Sequence, residues 1–287
     1  MKYESIKRAS RRKEQNVIEL CQTLKVSASG YYGWLNREPS EQQKRREAVV
    51  EEMKAIHKSD PIFGARKIHA ALRENKAGLS MVFKLARANG IKAKITSKYK
   101  PITTKSDPKV KAFPNLIFGI IPTRRNEIWV SDITYIKVGH KWKYLAVVYD
   151  LFLKKPVGWA FGHSPSGELV CQALKNAIRN TSLKKGVSLI HHSDQGSQYT
   201  SNAFKELLTE HGITGSMSKR GCPYDNAAME SFFQKLKVEH VNFKRYLSFE
   251  QANNDLKYYL EIYYYYFRPH ASLNYLTPFK FEQTLSA

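Results

Sequence analysis

Three stretches rich in Ile, Val, Trp and Tyr follow one another almost without interruption, at residues 127–138, 142–152 and 156–162, with only Gly139-His140 and Lys154-Lys155-Pro156 between them. Connections this short leave no room for a crossover, so neighbouring strands must run antiparallel and the three form a meander. The pattern then changes period. Helical spacing over 166–181, a short apolar strand over 187–191, a helix over 202–211, a strand over 212–217 and a helix over 226–241 alternate down the chain.

A meander followed by alternating helix and strand predicts an α/β protein, a mixed sheet with helices packed on it, of the ribonuclease H type. Upstream the character is different. Residues 14–25 carry apolar groups at helical spacing, and Val26 to Leu35 turns into a second short helix, a helix-turn-helix-like shape. Residues 41–57, 65–73 and 80–89 read as three further helices, the last closed by Gly90. Lys92 to Lys111 has no apolar periodicity and reads as a linker. The expected division is a helix-turn-helix-like segment over 1–45, a basic helical DNA-binding domain over 46–100, a linker over 101–122, a ribonuclease H-like core over 123–243 and a C-terminal helix and tail over 244–287.

Charge separates the two parts. The chain has 47 Lys and Arg against 25 Asp and Glu, a formal +22, and 28 of the basic but only 11 of the acidic residues fall before residue 126. Such a balance favours a polyanionic partner over a small-molecule substrate, and it places the partner's main grip in the helical part. Cys21, Cys171 and Cys222 are too scattered for a disulfide framework or a cysteine-built zinc site. With no apolar leader and no apolar run long enough to span a bilayer, the expected location is the cytoplasm.

Asp132 sits inside Ile128-Trp129-Val130-Ser131-Asp132-Ile133-Thr134-Tyr135-Ile136, where a carboxylate is costly to bury and no Lys or Arg is at hand to pair with it. A hydrogen-bonded aspartate and a metal ligand both fit that setting. Asp194 ends the next apolar strand in His192-Ser193-Asp194-Gln195-Gly196, where a turn residue and a functional group at a strand end look alike. Glu230 belongs to a polar stripe with Gln234 and Lys237, beside an apolar stripe of Met229, Phe232, Phe233 and Leu236. Taken alone, that is an ordinary surface face.

The spacing of the three is more specific, because 35 residues separate Asp194 from Glu230. Together with Trp129-Val130-Ser131-Asp132-Ile133-Thr134-Tyr135-Ile136, His192-Ser193-Asp194-Gln195-Gly196-Ser197-Gln198-Tyr199-Thr200-Ser201 and Met217-Ser218-Lys219-Arg220-Gly221-Cys222-Pro223-Tyr224-Asp225-Asn226-Ala227, the chain resembles the second-frame (orfB-type) bacterial insertion-sequence transposases of the DDE integrase and transposase superfamily. The likeness runs from Val26-Ser27-Ala28-Ser29-Gly30-Tyr31-Tyr32 through Phe63-Gly64-Ala65-Arg66-Lys67-Ile68 to Arg268-Pro269-His270. The chain departs from the family in carrying Tyr265-Tyr266 where Asn-Asn is usual, and Met81-Val82-Phe83 in a helix that is usually more basic.

The resemblance implies a ribonuclease H-like core in which Asp132, Asp194 and Glu230 are catalytic and bind two Mg²⁺ ions, with Mn²⁺ able to replace them. It implies cleavage at terminal inverted repeats and joining of the freed ends to target DNA. It further implies an upstream-frame helix-turn-helix protein, or a fusion with it, as partner, a homo-oligomeric synaptic complex, and residence on the bacterial nucleoid. Arg66, Lys67, Lys219, Arg220, Lys235 and Lys237 are the expected DNA contacts, although solvated surface cations have the same appearance in sequence. Asp150 is expected to be structural, Asp225 a helix-start residue, and the Tyr263 to Tyr266 run a packing surface for a terminal helix. His191 and His192 adjoin Asp194 but lack the partners of a zinc site. Two other functions compete with transposition: a catalytically silent, domesticated DNA-binding regulator, and a nuclease acting on RNA:DNA hybrids.

Overall fold

A computed structural model of the chain describes residues 2–11, 16–72, 77–94, 113–184, 186–218 and 226–285. Its centre is a five-stranded sheet in the order β3-β2-β1-β4-β5. The strands are β1 (Ile128–Val138), β2 (Lys141–Asp150), β3 (Lys155–Gly162), β4 (Ile190–Ser193) and β5 (Thr214–Met217). The first three form the expected antiparallel meander, with Trp129 opposite Asp150 and Val147 opposite Trp159. β4 then lies parallel to β1, and β5 parallel to β4. Only β2 runs against the others, which is the ribonuclease H arrangement.

The order follows from the connections. Turns of two and four residues keep β1 to β3 adjacent, whereas the helix α7 (Gly167–Asn180) carries the chain back over the sheet to set β4 on the free side of β1. Helix α8 (Asn202–Glu210) repeats the move for β5. The outer edge of β5 is covered by residues 113–117: Met217 N–H donates to the Pro114 carbonyl at 3.2 Å, and Leu116 N–H donates to Ser216 Oγ at 2.9 Å.

Side chains alternate across β1 and so feed two cores. Trp129 faces α7 and α8 with Ala146, Val148, Leu174, Tyr199 and Phe204. Ile128, Val130, Ile136 and Val138 face the other way, against Met229, Phe232, Phe233 and Leu236 of α9 (Ala227–Glu239) and Ala252 and Leu256 of α10 (Phe249–Lys257). α10 runs on into a π-helical stretch, Tyr258–Phe267, that buries Tyr259, Leu260 and Tyr264. The tyrosine run therefore packs inward in part, while Tyr266 stays exposed.

Gly158 sets the approach of α7 to the sheet. A Cβ built there would lie 2.4 Å from the Ala177 nitrogen and 2.5 Å from the Ala173 carbonyl oxygen, both backbone atoms that cannot rotate away. Gly158→Ala is expected to cost about 3 kcal/mol, the upper end of overpacking, read as a lower urea midpoint. A loss within 0.5 kcal/mol, on the order of a surface change, would contradict this packing.

The helical part holds two small bundles. Helices α1 (Lys2–Arg11), α2 (Val17–Thr23) and α3 (Ala28–Leu35) surround Ile6, Leu20, Cys21 and Tyr31. Asn16 and Ser27 cap α2 and α3, their side chains accepting from Ile18 and Gly30 N–H. α1 is not foreseen from its charged sequence; it forms because Tyr3, Ile6 and Ala9 recur on one face and reach that core. Helices α4 (Glu41–Ser59), α5 (Ala65–Ala71) and α6 (Leu79–Ala88) enclose Val49, Met53, Phe63, Ile68 and Val82. Of the Met81-Val82-Phe83 departure, Val82 is core and Phe83 is exposed. The last described helix is α11 (Pro278–Thr284). Among the described residues, no helix is long and apolar enough to cross a membrane.

Candidate active site

β1 and β4 bring the two aspartates together. Their parallel register sets Val130 beside His192, so two residues further on Asp132, in the middle of β1, comes close to Asp194, just past the end of β4, and feels its charge. Asp132 has the parity of Val130 and therefore faces α9, where Glu230 and Lys237 act on it. On α9, the buried stripe of Met229, Phe232, Phe233 and Leu236 fixes the helix roll and leaves Glu230 exposed in the first turn. Asn226, the residue before the helix, is buried and donates from Nδ2 to the Ser131 carbonyl at 3.4 Å, holding this end of α9 on β1 one residue from Asp132.

The electrostatics show the grouping. Asp132 is pushed up to about 7, first by burial and then by Asp194, with Glu230 adding to the rise; the Ile133 N–H, 2.7 Å from Oδ1, and Lys237 work against it. Asp194 is also raised by burial, offset in part by the Gly196 N–H donating to Oδ1 at 3.0 Å. Oxygen donors whose negative charges oppose one another suit hard divalent cations, which relieve that repulsion. The set is not closed: among the described residues, no three His, Cys, Asp or Glu side chains are gathered tightly enough to hold an ion.

Tyr135 and Lys237 frame the site. The Lys237 ammonium lies 3.8 Å from the centre of the Tyr135 ring, and Trp142 meets that ring edge-on at 5.0 Å. Lys237 thus stands on the same side of α9 as Glu230, as its seven-residue spacing requires. Lys235 points elsewhere, toward Lys67 and Arg268. Lys67 is not a solvated cation: its ammonium donates to Glu239 Oε1 at 3.0 Å, a contact that ties α5 to the far end of α9. Arg268 binds the same carboxylate twice, Nε to Oε2 at 2.7 Å and Nη2 to Oε1 at 2.9 Å. Arg66 is exposed, and Lys219, Arg220 and Asp225 lie outside the described residues.

The histidines beside Asp194 are structural. His191 Nε2 and the Ser131 hydroxyl are 2.7 Å apart, while His192 lies between Ser216 Oγ at 2.9 Å and Ser218 Oγ at 3.0 Å. Burial, with His192 adding, lowers His191 to about 3, so it is neutral at physiological pH. A base depressed in the folded state gives stability that is whole above its unfolded value near 6.5 and is lost as pH falls from there toward 3. His191→Gln is expected to make the pH dependence of unfolding shallower by about 1.4 kcal/mol per pH unit between pH 6 and 4. Urea titrations at several pH values check this, and an unchanged slope would contradict it.

Asp150 is fully buried and accepts three backbone N–H groups, from Phe152 and Leu153 at Oδ1 and Asn126 at Oδ2, at 2.8, 2.9 and 2.8 Å. It ends β2 and closes the turn, as expected of a structural residue. Sequence reading missed Tyr135, Asn226, Glu239 and Arg268. Glu239 and Arg268 stand 29 positions apart, which leaves no local pattern to find. Asn226 offered a weak signal as a polar residue just ahead of an apolar helix.

Known proteins share this layout in sequence. A family model described as an integrase core domain matches residues 122–223, and a second of the same description matches residues 211–278. The chain is 34% identical over 268 residues to the insertion element IS600 uncharacterized 31 kDa protein of Shigella sonnei, covering 92% of this chain and 97% of that one. It is 31% identical over 274 residues to the transposase InsF for insertion sequence IS3A of Escherichia coli (strain K12), covering 94% of each.

Proposed function

Because this chain belongs to the insertion-sequence transposases with an integrase core, we propose that Asp132, Asp194 and Glu230 are its catalytic carboxylates and together hold two Mg²⁺ ions. The protein is a DDE transposase, a polynucleotidyl transferase. The observation that carries the assignment is that burial, Asp194 and Glu230 all act on Asp132 in the same sense on the α9 face of the sheet. Paired divalent ions at such a site would activate the attacking oxygen and stabilise the leaving one during in-line phosphodiester displacement. The chain's own residues do the rest. β1 and β4 fix two carboxylates on rigid neighbouring strands, and Asn226 holds the start of the helix that brings the third. Lys237, held over Tyr135, supplies a cation at the rim for a DNA phosphate.

The substrates are the terminal inverted repeats of the element and target DNA, approached by a homo-oligomer with an upstream-frame helix-turn-helix protein or fusion, on the nucleoid. No covalent enzyme intermediate is required, since water and then a DNA 3′-hydroxyl attack directly. The purified chain, alone and fused to the upstream product, should nick and join labelled element-end duplexes only with Mg²⁺ or Mn²⁺. Cleavage of RNA:DNA hybrids without element ends would support the nuclease reading instead. End binding without any strand cleavage, even by the fusion, would support the silent regulator.

A further inference from the structure

We propose that Trp142, with Tyr135, Lys137 and Lys237 around it, is a stacking platform for an unpaired DNA base beside the catalytic carboxylates. Its ligand is a single strand of the DNA being cut or joined, an assignment that rests on the transposase reading above.

The register of the first hairpin builds the platform. Tyr135 pairs with Tyr144 and Lys137 with Trp142, so these side chains stand on one face and Tyr135 is the diagonal neighbour of Trp142. The Tyr135 and Trp142 rings lie 5.0 Å apart between centres at 88°. A contact of that kind covers at most one face of the indole. Trp142 is 51% exposed, the most open of the four tryptophans, and Lys137 opposite it is exposed. Among the described residues, Tyr135 is the one aromatic ring against it.

This face is opposite to that of Asp132, yet the sheet leaves a way round. β4 pairs with β1 only from Ile128 to Val130, and the next partner on that side is Tyr246, bridged to Val138. Between them, among the described residues, the edge of β1 carries no strand. Lys237 meets Tyr135 there from α9, its ammonium 3.8 Å from the ring centre. Tyr135 follows Asp132 by three residues, about 10 Å of strand and roughly three base steps of a duplex. A DNA strand whose phosphodiester lies at the carboxylates therefore reaches the hairpin within a few nucleotides.

Charge favours that occupant. Residues 133–149 contain Lys137, His140, Lys141 and Lys143 and no Asp or Glu. Cations for the backbone and a π-face for a base are what a single strand requires, and every base offers such a face. A duplex keeps its base faces inside its own stack, so only an unpaired base fits the indole. A protein partner covering Trp142 would have to bury Lys137 with it, whereas a nucleic-acid strand brings Lys137 a phosphate.

The test measures binding by the full chain of a duplex with a three-nucleotide unpaired tail and of the same duplex without it, in the absence of divalent ions so that nothing is cut. The parent is expected to prefer the tailed duplex by about tenfold, the scale of one stacked base. Trp142→Phe should keep most of that preference and Trp142→Leu should lose it, with binding of the untailed duplex and the Tm unchanged in both. A 2-aminopurine in the tail should be quenched on binding to the parent and not to the Trp142→Leu variant. No tail preference in the parent, a preference that Trp142→Leu retains, or a loss that Trp142→Phe does not restore overturns the platform. Stacking tolerates any sequence, so an unrelated tailed duplex should give the same result. Should the fusion product fail to cut element ends, the transposase reading falls, and the tail preference still decides whether the platform exists.

Discussion

Glu230→Gln is expected to reduce strand cleavage and end joining by at least about a thousandfold, roughly 4 kcal/mol of transition-state stabilisation, while leaving end binding and the melting temperature within error of the parent. The substitution keeps size and hydrogen bonding at an exposed position of the first turn of α9, where nothing in the core depends on it. It removes one anionic oxygen donor from a set whose value lies in its charge. Asp132→Asn should be equally inactive but should melt higher than the parent in the absence of divalent ions, since it relieves a buried charge opposed by Asp194 and Glu230. Gel assays of labelled ends with Mg²⁺, paired with thermal melts, measure both. Mg²⁺-dependent activity persisting equally in the Glu230 variant would remove it from the catalytic set.

Arg268→Ala should have the largest effect on stability. The guanidinium is 3% exposed, is bound twice to Glu239, and sits 5.1 Å from the centre of the Tyr264 ring. Removing it leaves a largely buried carboxylate with Lys67 alone, and breaking a buried pair from one side typically costs about 3 to 5 kcal/mol. Lys67 joins the helical part to this same carboxylate, so the substitution should loosen the seam as well as the core. Urea unfolding gives the loss directly, and proteolysis between the two parts should quicken. A loss below about 1 kcal/mol, the size of an exposed pair, would show that the network contributes little.

What was legible in the sequence was what repeats locally. Runs of Ile, Val, Trp and Tyr with short connections marked β1 to β3, and helical spacing marked α7 to α9; the 35-residue interval joined Asp194 to Glu230 because short elements at fixed spacing constrain where side chains end up. β4 was expected at 187–191 and lies at Ile190–Ser193, since Leu189 is buried ahead of the strand and pairing with β1 sets where the ladder begins. α1 was obscured by its charges. The ion pair of Lys67 could not be read from the sequence, because a partner 172 residues away cannot be seen from its neighbours. Glu239 and Arg268 were hidden for the same reason. Long-range ion pairs have no sequence period, and the seam is built of them.

The meander of β1 to β3 is complete by residue 162, yet β4 must travel back to β1, and α9 follows more than sixty residues after the meander ends. Translation therefore delivers the three carboxylates in widely separated instalments. A growing chain possesses both helical bundles and its first aspartate long before Glu230 leaves the ribosome, and the Arg268 clasp on α9 comes later still. The nascent protein therefore holds its basic helical part well before its three carboxylates are complete. Any prematurely terminated copy ending ahead of α9 keeps both helical bundles and Asp132 but lacks Glu230 and the helix that carries it.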